Sequence, residues 1–463
     1  MVVLNKCYVN KQEENKVEKS WQEKTADEKR EELVGKWLSP EGVEYNSSEA
    51  EKLYKERVTR LLDAVELKKE PDRVPVVPML GFYPAHYCGY TPYDVMYDYD
   101  KLLEAWEKCY LGIQADAHGG AVVSPPGRLF EILDYKLYAW PGHGVAKEHS
   151  YQCNESEYML ADEYDAFIHD PTLYFLTTYY PRIFGKLGAL GAFPTITDNL
   201  EMYGGFSAVS FIPFGVPDVQ EAFKLMFEAG AEALKWIEPV GIFAAKMTAA
   251  GLPGFFGGGC KAPYDVIGDT LRGSRGIMVD MYRQPDKLLE ALEVVTPLAI
   301  KMGASNAKAN GCPVVFIPLH KGADGFLSDE QFKKFYWPSF RRLLLGLIDE
   351  GCIPFPWAEG GYNSRLEVVR DLPKGKVIFG FDLTDMAKAK EILGDVCCIT
   401  GNMPIDILTV GTKQQVEDRT RALIDTCGKG GGYIMMNGAV IENVNPENVQ
   451  AMIDTTKEYG VYK

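Results

Sequence analysis

The sequence predicts an α/β protein built as a parallel (β/α)₈ (TIM) barrel, and three observations lead to this fold class. From Arg73 onward, short apolar runs alternate with segments of helix-like composition. The runs are continuously apolar, as strands of a parallel sheet are when helices cover both of its faces. Eight such runs are present, and eight strand–helix units favour a closed barrel over an open sheet.

The elements follow one another in a regular order along the chain. The candidate strands are Val74–Met79, Leu111–Ala115, Val240–Met247, Val314–Leu319, Ile353–Trp357, Val377–Phe381, Val396–Thr400 and Tyr433–Met436. The segments predicted as helices are Asp218–Ile237, Gln284–Met302, Glu330–Asp349, Met386–Leu393, Gln415–Thr426 and Pro446–Glu458. Two helix starts are marked, because Ser328 and Gln331 have the spacing of a capping box and Asn445 precedes a first-turn proline.

The chain divides into an extension and a barrel that carries a lid. Residues 1–72 are predicted as a helical N-terminal extension, although the Lys- and Glu-rich stretch 10–36 also fits a solvated charged segment. Residues 73–463 form the barrel. Within it, residues 125–218 are rich in Tyr, Gly and Pro and too long for one connection, so we expect an insertion over the barrel mouth. The stretch Gly257-Gly258-Gly259-Cys260 lacks the Lys and Ser or Thr of a P-loop and is interpreted as a flexible turn near the pocket, not as a phosphate cradle.

Composition excludes several classes of protein. The 463 residues include 49 Lys plus Arg and 65 Asp plus Glu, which gives a formal charge of −16. Without a basic stripe, a nucleic-acid or anionic-membrane partner is not expected. Every apolar stretch is shorter than the roughly 18 residues of a membrane span, and the apolar run at the start is too short for a signal peptide. Ten cysteines without a C-x-x-C pair predict reduced thiols and a cytoplasmic protein.

Ionisable side chains follow three successive candidate strands. They are His320, Glu359 and Asp382. In a barrel of this type, functional groups gather at the carboxyl ends of the strands, so these three side chains are expected to meet. One imidazole and two carboxylates make a workable shell for a divalent metal such as Zn²⁺. The same three groups also suit a site in which they act as acid, base and electrostatic clamp without a metal.

Further candidates lie at or near strand ends. Asp116 and His118 follow the second run two positions apart, so they project to the same side of an extended strand and are catalytic candidates, with His320. Arg272, near Tyr264, fits either a clamp for a carboxylate or phosphate group or a surface ion pair. The remaining substrate-binding candidates are Tyr83, His86, Trp357 and Asn402.

Motifs in the C-terminal third resemble a known superfamily. These motifs are Ser328-Asp329-Glu330-Gln331-Phe332, Gly401-Asn402-Met403-Pro404, Gly431-Gly432-Tyr433-Ile434 and Asn445-Pro446-Glu447-Asn448-Val449. Their order and spacing resemble the uroporphyrinogen decarboxylase superfamily over about residues 260–459. The resemblance implies a (β/α)₈ barrel and is compatible with a homodimer.

Part of this superfamily decarboxylates uroporphyrinogen without a cofactor. The resemblance places the catalytic aspartate of these enzymes at Asp116. Their arginine-rich loop after the first strand is replaced here by Met79-Leu80-Gly81-Phe82-Tyr83-Pro84, and Gly438 or Ala439 stands where a histidine is expected near the last strand. The residues that bind the acetate side chains of the tetrapyrrole are therefore absent.

Another part consists of methyltransferases that serve corrinoid proteins and coenzyme M and bind zinc through His-x-Cys and a later Cys. Here the first motif reads Trp357-Ala358-Glu359 and the later Cys falls near Ala439. The resemblance to related cobalamin-independent methionine synthases places a further carboxylate ligand at Asp382. It thus implies an oxygen-rich Zn²⁺ site, to which His320 is added, and a corrinoid held on a partner protein.

We therefore expect a methyltransferase that moves a methyl group from a small O- or N-methylated substrate to a corrinoid protein. Aromatic residues of the insertion, such as Tyr158 and Tyr179, would line an apolar pocket or pack as ordinary core beneath the lid. One alternative is a cofactor-free decarboxylase that uses Asp116 and His118. The other is a non-catalytic tetrapyrrole- or corrinoid-binding protein, against which the missing D-x-H-x-x-G motif counts.

Overall fold

The structure, a computed structural model, describes residues 19–195 and 203–462. The parts of the predicted extension and insertion at 1–18 and 196–202 lie outside these ranges. The strands form a small sheet and a large parallel one, in the orders β2-β1-β3 and β4-β5-β6-β7-β8-β9. They are β1 (Tyr138–Pro141), β2 (Gly144–Val145), β3 (Gln152–Cys153), β4 (Gly258–Gly259), β5 (Val314–Leu319), β6 (Ile353–Ala358), β7 (Ile378–Phe381), β8 (Cys398–Thr400) and β9 (Tyr433–Ile434).

Two further extended segments close the large sheet into a barrel. Val76 forms a parallel bridge with Met435, next to β9. The Asp116 amide donates to the Val76 carbonyl at 2.9 Å, and the Phe255 amide donates to the His118 carbonyl at 2.9 Å. The segments around Val76 and His118 thus fill the gap between β9 and β4. The predicted (β/α)₈ barrel is confirmed.

Helices surround the barrel and form most of the insertion. The α-helices are α1 (Ala26–Leu38), α2 (Ser48–Glu66), α3 (Tyr83–Tyr87), α4 (Pro92–Tyr97), α5 (Tyr99–Ile113), α6 (Gly127–Leu133), α7 (Tyr164–His169), α8 (Pro171–Tyr174), α9 (Tyr180–Ile183), α10 (Gly204–Val209), α11 (Pro217–Ala249), α12 (Pro263–Asp265), α13 (Gly273–Arg283), α14 (Pro285–Asn310), α15 (Asp329–Gln331), α16 (Trp337–Asp349), α17 (Leu366–Val369), α18 (Met386–Leu393), α19 (Ile405–Val410), α20 (Lys413–Cys427) and α21 (Pro446–Tyr459). The 3₁₀ segments are Trp21–Glu23, Gly185–Ala192 and Ile212–Gly215, and the π-helical ones are Phe175–Tyr179, Val266–Leu271 and Phe332–Tyr336.

Two predicted strands were wrong. The apolar run 240–247 belongs to α11, where Val240, Phe243 and Met247 are buried at the spacing of a helix face. Most of the run 111–115 is the end of α5, so the strand begins only near Ala115. A run of apolar residues marks burial, and a buried helix face produces it as readily as a strand does.

The third barrel strand is the glycine stretch that was interpreted as a turn, and this interpretation was also wrong. The Gly257 amide donates to the Val314 carbonyl at 2.9 Å, and β4 pairs with β5. A Cβ atom on Gly258 would lie 2.6 Å from the carbonyl oxygen of Gly303 in α14. The glycines therefore allow a helix and a neighbouring strand to approach this backbone closely. Because glycine has no side chain, the stretch lacks the apolar pattern that predicts a strand.

We expect Gly257→Ala to destabilise the fold. A Cβ atom there would lie 1.8 Å from the Cys312 carbonyl oxygen, and only a backbone shift relieves such a contact. The expected loss is about 1–3 kcal/mol or more, measured by urea unfolding. As a control, Gly35→Ala in α1 meets nothing within 4 Å and should be neutral or slightly stabilising. Equal stability of both variants would contradict this account of the strand.

The N-terminal helices close the amino end of the barrel. Apolar side chains of α1 and α2 pack in one cluster with residues that point into the barrel. The cluster includes Trp37, Tyr54, Val58, Leu61, Val65, Val77, Ala117, Phe355, Ile378 and Ile434. The opposite, carboxyl end of the strands thus remains for a site. The boundary drawn at residue 72 stays a prediction.

The insertion is tied to the carboxyl end of the barrel through Glu155. Its carboxylate accepts from the Ser274 amide at 2.6 Å and the Ser274 hydroxyl at 2.9 Å, and it lies 3.4 Å from the Lys321 ammonium. Lys321 is the second residue after β5, so this part of the insertion lies beside a strand end. None of the helices in the two described ranges has the length and apolar character needed to cross a membrane.

Candidate functional site

An Asp–His pair lies at the carboxyl end of β5. His320 Nδ1 is 2.5 Å from Asp269 Oδ2, and Asp269 also pairs with Lys261 at 3.0 Å and Lys321 at 3.3 Å. Burial lowers the pKa of His320, but the hydrogen bond and charge of Asp269 outweigh it, and Glu359 adds to the rise, so the pKa lies above its ordinary value. Asp269 thus favours the imidazolium form more than water does around a free imidazole.

The other ring nitrogen of His320 faces Glu359. Nε2 lies 3.7 Å from Glu359 Oε1, and the Glu359 side chain is half exposed, so this nitrogen is directed towards the open mouth. Burial raises the pKa of Glu359; the charge of His320 opposes this rise, whereas the charges of Asp382 and Asp269 reinforce it. The pair can therefore present one proton at the mouth, on His320 Nε2.

Asp265 holds the loop that carries His320. Its buried carboxylate accepts from the His320 amide at 3.1 Å, the Lys321 amide at 2.9 Å and the Tyr336 hydroxyl at 2.7 Å. Burial, followed by the charge of Asp269, raises the pKa of Asp265. Asp265 contacts backbone amides of the loop, so it is a positioning residue, and it limits the freedom of the imidazole.

The predicted metal ligands do not assemble as a ligand set. His320 and Glu359 are neighbours, but an Asp382 oxygen accepts from the Gly360 amide at 3.2 Å. Within residues 19–195 and 203–462, no three His, Cys, Asp or Glu side chains are arranged to hold a metal ion. The Zn²⁺ site on these three residues stays a prediction, and the donor geometry does not fit it.

Comparisons with known proteins agree with the fold. A family model described as uroporphyrinogen decarboxylase (URO-D) matches residues 212–459, more than half of the chain. The chain belongs to the URO-D family. A uroporphyrinogen decarboxylase from Chlorobaculum parvum is 21% identical over 183 residues, which are 38% of this chain and 51% of that protein. This chain thus spans about half the length of that curated relative.

A solved structure has the same fold along nearly the whole chain. It is a methyltransferase from Methanosarcina mazei, with a TM-score of 0.54 and 16% identity over 88% of this chain and 98% of that chain. At this level of identity, the likeness shows the fold alone. The chemistry of this URO-D family member depends on its own residues at the ends of the strands.

Asp116 lies away from the mouth. Its carboxylate accepts from Arg60 at 2.8 Å, from Arg73 at 2.7 and 2.8 Å, and from the Val76 amide at 2.8 Å. These partners come from α2 and from the beginning of the first strand, at the amino end of the barrel. Burial raises the pKa of Asp116, but Arg73 and Arg60 outweigh it and hold the pKa low. Its catalytic role stays a prediction, and the contacts support a structural one.

His118 faces the helices rather than the barrel interior. Its ring packs 5.8 Å from Tyr110 of α5 and 5.0 Å from Phe243 of α11, whereas the preceding Ala117 belongs to the cluster inside the barrel. Burial lowers the pKa of His118 to about 4, so it is neutral at pH 7. Asp116 and His118 are therefore not brought together with His320.

Most of the predicted substrate-binding residues are buried in the protein core. Tyr83, Trp357 and Tyr264 are fully buried core side chains. Arg272 forms a buried ion pair with Asp280 at 2.6 Å and is not a surface residue. The remaining two are Asn402, which donates to the carbonyls of Asp382 and Thr384 at 2.9 Å, and His86, which is half-buried. No ligand contact tests these assignments, so they stay predictions.

Three charged residues of the site, Asp265, Asp269 and Lys261, were not predicted from the sequence. All three follow β4, the strand that was interpreted as a turn. Had the glycine stretch been recognised as a strand, the rule that function lies at strand ends would have directed attention to them. Glu442, which follows the last strand, was missed as well. It accepts from the Phe82 amide at 2.9 Å, and burial raises its pKa to about 7.

Proposed function

We propose that this URO-D family member is a cytoplasmic methyltransferase that moves a methyl group from a small O- or N-methylated substrate to a corrinoid on a partner protein. One observation carries the proposal: Asp269 holds Nδ1 of His320, and Nε2 of the same ring faces Glu359 at the carboxyl end of the barrel. A methyl group bound to oxygen or nitrogen is a poor donor until the atom it leaves is protonated or bound by a metal.

The residues of this chain supply the proton. His320 donates it from Nε2 to the substrate oxygen or nitrogen while the bond from that atom to the methyl carbon breaks. The electron pair of the broken bond stays on the oxygen or nitrogen, which leaves as an alcohol or amine. The reduced corrinoid supplies the nucleophile that accepts the methyl group. Asp269 stabilises the imidazolium before transfer and keeps Nδ1 protonated after it.

A decarboxylase of the uroporphyrinogen type is less well supported by the mouth. Its substrate carries four acetate groups, and the side chains beyond these strand ends include the acids Asp269, Glu359, Asp382 and Glu442. Among the described residues, the positive charge near Asp269 comes from Lys261, Lys321 and the imidazolium of His320, and all three pair with Asp269 itself. The negative charges of these acids oppose the binding of a substrate that is itself a polyanion.

The experiment uses free cob(I)alamin as the acceptor and a panel of methoxyarenes and methylamines as donors. We expect methylcobalamin to form with at least one donor, and His320→Gln to slow its formation by about 10²–10⁴-fold. His169→Gln is the matched control, because His169 is an exposed residue at the end of α7. Full activity of His320→Gln would remove the proposed acid.

Two further measurements separate the alternatives. Release of CO₂ from uroporphyrinogen, without methyl transfer from any donor, would assign the chain to the decarboxylases. Metal analysis after purification without chelators tests the Zn²⁺ prediction. If the protein binds one equivalent of zinc and Glu359→Gln loses it, activation of the leaving atom would be assigned to a metal and not to the proton of His320.

A further inference from the structure

Helix α11 has an apolar face that points away from the protein. Phe227 is 74% exposed, Leu234 is 70% exposed and Ile237 is 45% exposed. Large apolar side chains that are exposed next to one another mark an interaction surface more often than they mark ordinary surface. This outer face is therefore the strongest candidate for a contact that the structure of the single chain does not include.

The outer face follows the spacing of a helix–helix seam. Its members recur at alternating intervals of three and four residues, as the core positions of a coiled coil do. In chain order, these members are Phe227, Gly230, Leu234, Ile237, Gly241 and Ala244. We call this set the α11 seam.

The opposite face of the same helix is already buried. Ala222, Ala229, Phe243 and Met247 pack inwards, against the insertion and against the barrel helices. The helix is thus apolar on two faces, and the described residues, 19–195 and 203–462, cover only one of them. A helix of this kind is normally covered on both faces.

The α11 seam is complementary to itself when two copies run antiparallel. With the twofold axis between residues 235 and 236, Leu234 lies opposite Ile237 of the other copy, and the large Phe227 lies opposite the small Ala244. Gly230 lies opposite Gly241, and a Cβ atom on either glycine would meet nothing within 4 Å in the single chain. The large aliphatic residues thus meet at the centre, the bulkier Phe227 meets a small residue, and the glycines allow close approach.

Charges beside the seam have the same symmetry. Lys235 is 68% exposed at its side chain and pairs with Glu232 of the same helix at 3.1 Å, and Glu238 is an exposed residue three positions further along the helix. Antiparallel packing about this axis brings Lys235 of each copy close to Glu238 of the other. Parallel packing would instead place Lys235 beside Lys235 and Glu238 beside Glu238.

We propose that the α11 seam is the docking surface for a second copy of this chain, packed antiparallel about a twofold axis. A membrane surface fits less well, because the polar residues beside the seam include Glu228 and Glu238 and the chain has a net charge of −16. The seam contains none of the residues at the barrel mouth, so the dimer does not depend on the methyl-transfer chemistry.

The first test is the mass of the full chain in solution, measured by sedimentation. We expect a dimer, and we expect Leu234→Lys at the centre of the seam to weaken dimerisation by about 30-fold or more. Leu298→Lys is the matched control, because Leu298 is half exposed on α14, away from the seam. A wild-type chain that stays monomeric, or a Leu234→Lys variant that dimerises normally, would overturn the proposal.

Cross-linking tests the register without relying on a disruptive variant. A mixture of Phe227→Cys chains and Ala244→Cys chains should form disulfide-linked pairs, whereas Phe227→Cys alone should not exceed the wild-type background from native thiols. Efficient linking of Phe227→Cys to itself would instead require parallel packing and would overturn the antiparallel arrangement. Binding of phosphatidylglycerol vesicles or of the corrinoid protein by a monomeric wild type, lost in Leu234→Lys, would assign the seam to that partner.

Discussion

Asp269→Asn is expected to lower methyl transfer by about 10²-fold or more at pH 7–8, although Asp269 does not touch the substrate. The amide can keep a hydrogen bond to His320 Nδ1, but it removes the negative charge that outweighs the burial of the imidazole. Without this charge the pKa of His320 falls, so less imidazolium is available to protonate the leaving atom. The rate of methylcobalamin formation measures the effect.

The pH profile separates this role from a purely structural one. With Asp269 present, the pKa of His320 is raised, so the proton donor persists to a higher pH and activity falls only as the pH rises through that value. In Asp269→Asn the same decline should move to lower pH, and part of the activity should return on acidification. The other charged groups that act on His320 are Glu359 and Asp265. Lys261 and Lys321 pair with Asp269 and are present in both proteins.

The control for this variant is Asp395→Asn, which removes an exposed carboxylate from a surface pair with Arg370. It should leave the pH profile unchanged. A uniform loss of activity in Asp269→Asn, with no shift of the pH profile, would contradict the role in tuning His320.

Asp116→Asn is expected to lower the free energy of unfolding by about 3–5 kcal/mol at pH 7, measured by urea unfolding. The substitution keeps the volume of the side chain but leaves the buried guanidinium of Arg60 and the largely buried one of Arg73 without their shared carboxylate. Arg60 retains Asp72, whereas Arg73 has no second carboxylate among its described ion pairs. Activity per folded molecule should be close to that of the wild type.

The dependence on pH follows from the lowered pKa of Asp116. Because Arg73 and Arg60 hold this pKa below the unfolded value of about 4, the stabilisation is fully present above pH 4 and is lost as the pH falls through the folded value. The difference between wild type and Asp116→Asn should therefore shrink in acid. Asp72→Asn, in which the lost carboxylate is 62% exposed, should cost less than about 1 kcal/mol. A stable but inactive Asp116→Asn would restore the catalytic prediction.

The sequence by itself determined the barrel and three of its mouth positions. Continuous apolar runs recur because both faces of a parallel sheet are buried, and five of the eight predicted strands coincide with β5 to β9. His320, Glu359 and Asp382 follow three of these strands directly. Their location at the carboxyl end therefore follows from chain order, because all strands of the barrel run in the same direction.

Only the tertiary structure decided which of these residues act together. The β4 strand is made of glycines, which carry no hydrophobic signal, so Asp265 and Asp269 could not be assigned to a strand end before β4 was seen beside β5. Asp116 also follows an apolar run, but its partners come from the amino end of the barrel. Hydrophobic patterning records which residues are buried, whereas the partner of a charged side chain depends on distances between segments far apart in the chain, and those distances exist only in the folded barrel.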